Sequence, residues 1–168
     1  AWADLPGELR DMHNVRSTLT AQGRADVERG GNLLSRLIGW LFRFPKAGRD
    51  LPVTVQFQSD GQCETWRRQF GGHGFSSRQI AGHGRADKLV EEKFGPFSFA
   101  LALVSAPGRL SFVVRRWRLF GLPLPLVLAP FGDSYEFAAD GRFNFHVEIR
   151  IPLAGLIVRY RGYLVPTP

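Results

Sequence analysis

The first residues whose types and spacing could do chemistry lie around position 68. Trp66, Arg68 and Phe70 occupy positions i, i+2 and i+4, which share one face of a β-strand. A guanidinium group between two aromatic rings could hold an anionic head group while the rings cover an apolar tail. The alternative is a structural face on which Arg68 pairs with a carboxylate such as Glu92. The sequence leaves both interpretations open.

A second polar pattern lies near the C-terminus. His146 and Glu148 share one face of an alternating run whose other face carries Phe145 and Val147. A carboxylate beside an imidazole can orient it for acid–base catalysis. Charge pairing across strands on a solvated surface explains the pattern equally well. Alternation does not decide whether this polar face lines a cavity or faces solvent.

The other candidates belong to strand-like segments with aromatic or polar residues. The complete set of ligand-binding candidates is Trp66, Arg68, Phe70, Ser77, Glu92, Trp117, His146, Glu148 and Tyr160. We expect no metal, because the histidines lack ligand spacing and Cys63 is the single cysteine. We expect no cofactor either, since no phosphate-binding or dinucleotide-binding glycine motif is present. The sequence favours a protein without catalytic activity.

The balance of charge is strongly basic. The 168 residues include 22 basic and 15 acidic ones, for a net charge of +7, and no acid lies between Glu92 and Asp133. This stretch predicts a basic strip on the surface. We expect no nucleic-acid partner, because Phe112 and Trp117 have opposite parity and form no single stacking platform without a bulge.

The segment Leu119–Phe131 has an unusual composition. It is uncharged, almost entirely apolar, and contains three prolines, which keep it from being an ordinary central strand. The simplest interpretation is a loop packed across one end of a barrel. The alternatives are a cover for a pocket mouth, contact with a partner, or peripheral contact with a membrane beside the preceding arginines. The segment is too short to span a bilayer, and we expect a cytoplasmic protein.

Hydrophobic periodicity gives the elements that must position these residues. It predicts a helix from Asp4, as N-cap, to about His13, a strand over 16–29, and a second helix that Asn32 caps. From Leu51 the period changes to two, and short strands, including one at 126–128, alternate with tight turns. We predict a single domain over 1–168, with a helical N-terminal part at about 1–45 and a β meander at about 51–165. The fold class is α+β: a mostly antiparallel, strongly curved sheet or barrel of about 8–10 strands with two N-terminal helices.

A series of short motifs recurs in a characteristic order along the chain. They are Trp66-x-Arg68-x-Phe70, Phe75-x-Ser77, Glu92-Lys93-Phe94-Gly95-Pro96, Pro123-x-Pro125, Phe143-x-Phe145, Pro152-Leu153-x-Gly155 and Tyr160-Arg161-Gly162-Tyr163-Leu164. Together they resemble the bacterial domain of unknown function 4166 from Leu5 to Leu164. Domains of that kind stand alone, or follow a saccharopine-dehydrogenase-like Rossmann domain or a membrane protein. The resemblance implies no activity.

Three functions follow as expectations. The first is a non-catalytic binding module for a small apolar or amphipathic, lipid-like ligand, because barrels with aromatic walls and few polar groups hold such molecules. The second is a docking or accessory domain for a fused or partner oxidoreductase, which the resemblance suggests. The third is an enzyme that uses His146 and Glu148.

Overall fold

The computed structural model describes residues 4–167, apart from the side chain of Arg85. Residues 1–3 and 168, at the two limits of the predicted domain, lie outside the described residues. The elements are α1 (Gly7–His13), β1 (Thr18–Arg29), α2 (Leu33–Leu41), β2 (Gly48–Ser59), β3 (Cys63–Phe70), β4 (His73–Ala81), β5 (Val90–Phe94), β6 (Phe97–Ala106), β7 (Arg109–Leu119), β8 (Leu122–Pro123), β9 (Ser134–Ala139), β10 (Arg142–Ile151) and β11 (Gly155–Thr167).

The strands form a closed antiparallel barrel. Their order is β6-β5-β4-β3-β2-β1-β11-β10-β9-β7, and a further pairing between β6 and β7 closes the ring of ten strands. The two-residue strand β8 extends the sheet beyond β7. The predicted α+β barrel of antiparallel strands with two N-terminal helices is confirmed.

The two helices lie at opposite ends of the barrel. α1 packs against β9 and β10, and its side chains Leu9 and Met12 are fully buried at that end of the barrel. α2 packs against β11 and β1 at the other end, where Ser35 and Gly39 are its buried residues. We call these the α1 end and the α2 end. The α2 end also carries the turns at 70–73, 94–97 and 151–155 and the long segment at 119–134.

Two local predictions are wrong in detail. Asp4 does not cap α1: the helix begins at Gly7 after Pro6, with no side-chain hydrogen bond at the cap. The predicted strand at 126–128 is a single 3-10 turn, because Pro125 before it favours a turn. The N-terminal part contains both predicted helices, and the strand predicted between them over 16–29 is β1, which lies between β2 and β11.

Candidate functional site

A cavity of about 690 Å³ occupies the interior of the barrel. Its lining extends from Trp66 and Phe143, beside α1, to Phe42 and Phe97 at the α2 end. Phenylalanine is the most frequent residue type in the wall, and most of these side chains come from inward-facing positions of β2 to β7 and β10. Leu126 and Phe131 line the cavity and are also about half exposed, so the cavity reaches the surface at the α2 end.

The predicted inward face of β3 lines this cavity. Trp66, Arg68 and Phe70 all belong to the wall, as strand alternation requires. Ser77 from β4 lies opposite Trp66, and Glu92 from β5 and Tyr160 from β11 complete the polar part of the wall. The structure therefore brings these six predicted residues together at one cavity, and a seventh of the nine, Glu148, borders it near Gly132.

Arg68 is the central polar group of the cavity. Its Nη1 donates a hydrogen bond of 2.8 Å to the Ser77 hydroxyl, and its Nη2 lies 3.8 Å from the Glu92 carboxylate. The guanidinium carbon lies 4.8 Å from the centre of the Trp66 ring and 5.6 Å from that of Phe75. Both interpretations of the sequence therefore apply to Arg68. It faces the cavity between aromatic rings, and it also has the Glu92 carboxylate within ion-pair distance.

Two further groups extend the polar patch around Arg68. Gln79, two residues beyond Ser77 on β4, donates a hydrogen bond of 3.4 Å to Glu92. Burial raises the pKa of Tyr160 to about 12, with a smaller lowering by Arg68 and a smaller raising by Glu92. The phenol is therefore a neutral hydroxyl at physiological pH, able to donate a hydrogen bond. Gln79 was not among the predicted residues, although its spacing from Ser77 places it on the same strand face.

A buried ion pair joins α1 to the barrel wall. His13 Nε2 lies 2.5 Å from Glu136 Oε2, and both side chains are largely buried. Burial alone would lower the pKa of His13, but the charge of Glu136 and its hydrogen bond together raise it above 6.5. The His13 ring also packs against Trp66 and Phe143. Sequence reasoning missed this pair, because the two residues are 123 positions apart and only the barrel brings them together.

Trp117 occupies a different position from the six. It lines a smaller cavity of about 190 Å³ between the end of α2 and the segment at 128–130, and its indole N–H donates to the Pro125 carbonyl at 2.9 Å. A register shift opposite Ala100 and Leu101 changes the parity of β7. As a result Phe112 and Trp117 both line cavities, so this pair does not form a stacking platform on the outer surface.

His146 and Glu148 lie on the outward face of β10. The imidazole stacks on Tyr135 at 5.0 Å between ring centres, and desolvation lowers its pKa. Glu148 accepts hydrogen bonds from Arg150 at 2.5 Å and Arg159 at 2.6 Å, which lower its pKa despite partial burial. The Glu148 carboxylate, which would have to orient the His146 imidazole, is therefore hydrogen-bonded to guanidinium groups. Glu148 also borders the cavity near Gly132. Among residues 4–167, no three His, Cys, Asp or Glu side chains are grouped so that they could hold a metal ion.

The geometry defines a ten-stranded antiparallel β-barrel domain with a helix filling one end and an apolar cavity inside. This architecture is compatible with a binding module. A family model described as domain of unknown function (DUF4166) matches residues 5–164. The chain belongs to this family, which confirms the resemblance in the sequence motifs. No curated protein and no solved structure matches the chain.

Proposed function

We propose that this domain is a non-catalytic binding module for a small amphipathic, lipid-like molecule. The observation that carries the proposal is the cavity of about 690 Å³, with phenylalanine walls and one polar patch centred on Arg68. Pockets of this size with apolar walls and a few convergent polar groups are typical of small-molecule sites. An apolar tail would lie along the phenylalanine wall toward the α2 end, where the cavity reaches the surface.

The polar patch supports an uncharged head group rather than a strongly anionic one. Arg68 and Glu92 lie within 3.8 Å of each other, so their charges balance. The patch offers donors from Arg68 and Tyr160 and acceptors from Glu92 and Ser77. A hydroxyl or amide head group, which both donates and accepts, satisfies these partners without leaving a buried charge unpaired. Medium-chain monoacylglycerols have this chemistry.

A displacement assay with a matched pair of arginine variants tests the proposal. The apolar fluorophore N-phenyl-1-naphthylamine reports occupancy of the cavity, and 1-decanoylglycerol and decanoate compete with it. We expect both competitors to displace the fluorophore, with 1-decanoylglycerol the tighter. Arg68→Met should weaken 1-decanoylglycerol by about tenfold, equivalent to the loss of roughly 1.4 kcal/mol.

The control is Arg67→Met on the same strand. Arg67 faces outward and donates to Gln58 at 2.8 Å, so its loss should leave the affinity unchanged. Failure of the fluorophore to enter the wild-type protein would overturn the binding-module proposal. Equal effects of the two variants would overturn the assignment of the head group to Arg68.

A further inference from the structure

The apolar face of α2 points away from the protein. Leu37 and Trp40 are 59% and 74% exposed, and Leu33, Leu34 and Leu41 on the same face are exposed as well. The small residues Ser35 and Gly39 face the barrel instead, and Gly39 packs against the guanidinium group of Arg29. Amphipathic helices of globular domains normally bury their apolar face, so this orientation marks an interaction surface.

Two other segments continue this apolar surface. The segment 120–131 exposes Val127 by 79%, together with Phe120, Leu122, Leu126, Leu128 and Phe131, and the turn after β10 exposes Leu153 completely. Ile38 of α2, Phe42 directly after it, and Leu128 and Pro130 line one small cavity, so α2 and the segment 120–131 are adjacent. Asn32, at the start of α2, donates to the Ala154 carbonyl beside Leu153. We call the exposed apolar side chains of α2, of 120–131 and of Leu153 the mouth surface, because they surround the opening of the cavity.

The charged residues within α2 and the segment 120–131, and in the sequence directly beside them, are mostly basic. The chain carries no acid from residue 29 to residue 49 or from residue 93 to residue 132, the stretches that contain α2 and the segment 120–131. Arg36, Arg43, Lys46 and Arg118 in these stretches are exposed. At the α1 end, by contrast, Glu8 and Asp11 on α1 and the turn residues Asp60 and Asp140 carry negative charge. Acids accompany basic residues such as Arg10 and Arg16 at the α1 end, whereas basic residues stand without acids in these two stretches at the α2 end.

We propose that the mouth surface docks onto anionic phospholipid bilayers. Trp40, Leu37 and Val127 would insert among the head groups, and the flanking basic residues would contact the phosphates. Inserted apolar groups beside cationic side chains are the combination that binds such membranes. No helix among residues 4–167 has the length and apolarity to cross a bilayer. Docking does not require that the cavity hold a ligand. It would place the mouth of the cavity at the boundary between the head groups and the acyl chains.

Vesicle sedimentation with a matched pair of valine variants tests the docking. We expect the wild-type protein to bind vesicles of phosphatidylcholine with 30% phosphatidylglycerol and to bind pure phosphatidylcholine far less, with weaker binding at 0.5 M NaCl. Val127→Asp should reduce binding at least tenfold, as should Leu37→Asp. Val165→Asp is the control, because Val165 is 45% exposed on β11, on the half of the barrel nearer the α1 end.

Two double variants that change the net charge equally test whether the basic residues at the α2 end bind the membrane. Arg36→Glu with Lys46→Glu should abolish binding, whereas Arg10→Glu with Arg16→Glu, near the α1 end, changes net charge equally and should leave most of it. Absence of wild-type binding to anionic vesicles overturns the proposal, as does equal loss in both members of either pair. Loss of a dimer, or of a bound oxidoreductase, in Val127→Asp without wild-type binding to vesicles would assign the surface to that protein contact instead. The fluorophore assay above is independent of this outcome, so failure of one proposal does not imply failure of the other.

Discussion

At the scale of single residues, Arg67 and Arg68 show that two consecutive residues of a strand face opposite sides of the barrel wall. They are neighbours in β3, yet Arg67 donates to Gln58 outside the barrel and Arg68 donates to Ser77 inside it. Removal of Arg68 leaves Glu92 mostly buried without its nearest cation, which costs stability as well as ligand affinity. A binding assay on Arg68→Met is therefore interpreted beside its unfolding curve.

His13 gives a prediction about pH. Its pKa is raised above 6.5 in the folded protein, so the ion pair with Glu136 contributes stability fully below that value. This contribution is lost as pH rises through the folded-state pKa, because the imidazole becomes neutral beside a buried carboxylate. We expect His13→Gln to destabilise the domain by about 1.5–3 kcal/mol in mildly acidic solution and by less in alkaline solution.

Urea unfolding at pH 6 and pH 9 checks this prediction. His83→Gln serves as the control, because His83 is exposed in the turn before β5 and should leave the free energy of unfolding unchanged. A His13→Gln effect that grows with pH would show that the pair does not act through the imidazolium form.

At the scale of elements, the close pairing of β1 with β11 depends on two glycines. Ala25 lies opposite Gly162, and Gly23 lies opposite Leu164. A Cβ at Gly162 would lie 2.1 Å from the Arg24 carbonyl oxygen and 2.8 Å from the Ala25 Cα. The two strands approach so closely that only a residue without a side chain fits between them.

Gly162→Ala should therefore destabilise the barrel. The new methyl group forces the backbone of β1 and β11 apart, and we expect a loss of about 1–3 kcal/mol in the free energy of unfolding. Gly31→Ala is the matched control, because a Cβ there meets no atom within 4 Å. Equal urea midpoints for the two variants would contradict the close-approach argument.

The long segment after β7 completes the wall of the barrel. β7 and β9 pair only through 109–111, and beyond that point Phe131 pairs with Arg150 of β10 instead. The Trp117 indole holds the other side of the segment through Pro125. Irregular chain thus replaces a strand at the α2 end of the barrel.

At the scale of the whole molecule, this replacement predicts an uneven distribution of stability. β1 pairs with β11 from Thr20 to Arg29 and with β2 on its other side, whereas the seam between β7 and β9 is short. Local opening should begin where backbone pairing is sparse. In hydrogen exchange, peptides from 111–139 should exchange faster than peptides from 20–29 and 156–165. Equal protection of the two groups would indicate that the barrel opens only as a unit.

Much of the architecture could be predicted from the sequence. Alternation of residue types in β2, β3 and β10 defined strands and their inward faces, because a pleated strand presents successive side chains to opposite sides. Asn32 marked the start of α2, and its side chain accepts from the Ser35 amide as an N-cap does. The cap at Asp4 and the strand at 126–128 were wrong, because local propensity does not include the packing that fixes where short elements begin.

The sequence by itself determined the local periodicity, the turns and the inward face of β3, because each depends on residues close together in the chain. Only the tertiary structure decided that Arg68, Ser77, Glu92 and Tyr160 share a cavity, that His13 meets Glu136, and that the polar face of β10 points outward. Only the tertiary structure turned the apolar face of α2 to the surface. Closure of the barrel pairs strands that are far apart in sequence. The residue pattern of one strand does not specify which residues of a distant strand or helix it will contact.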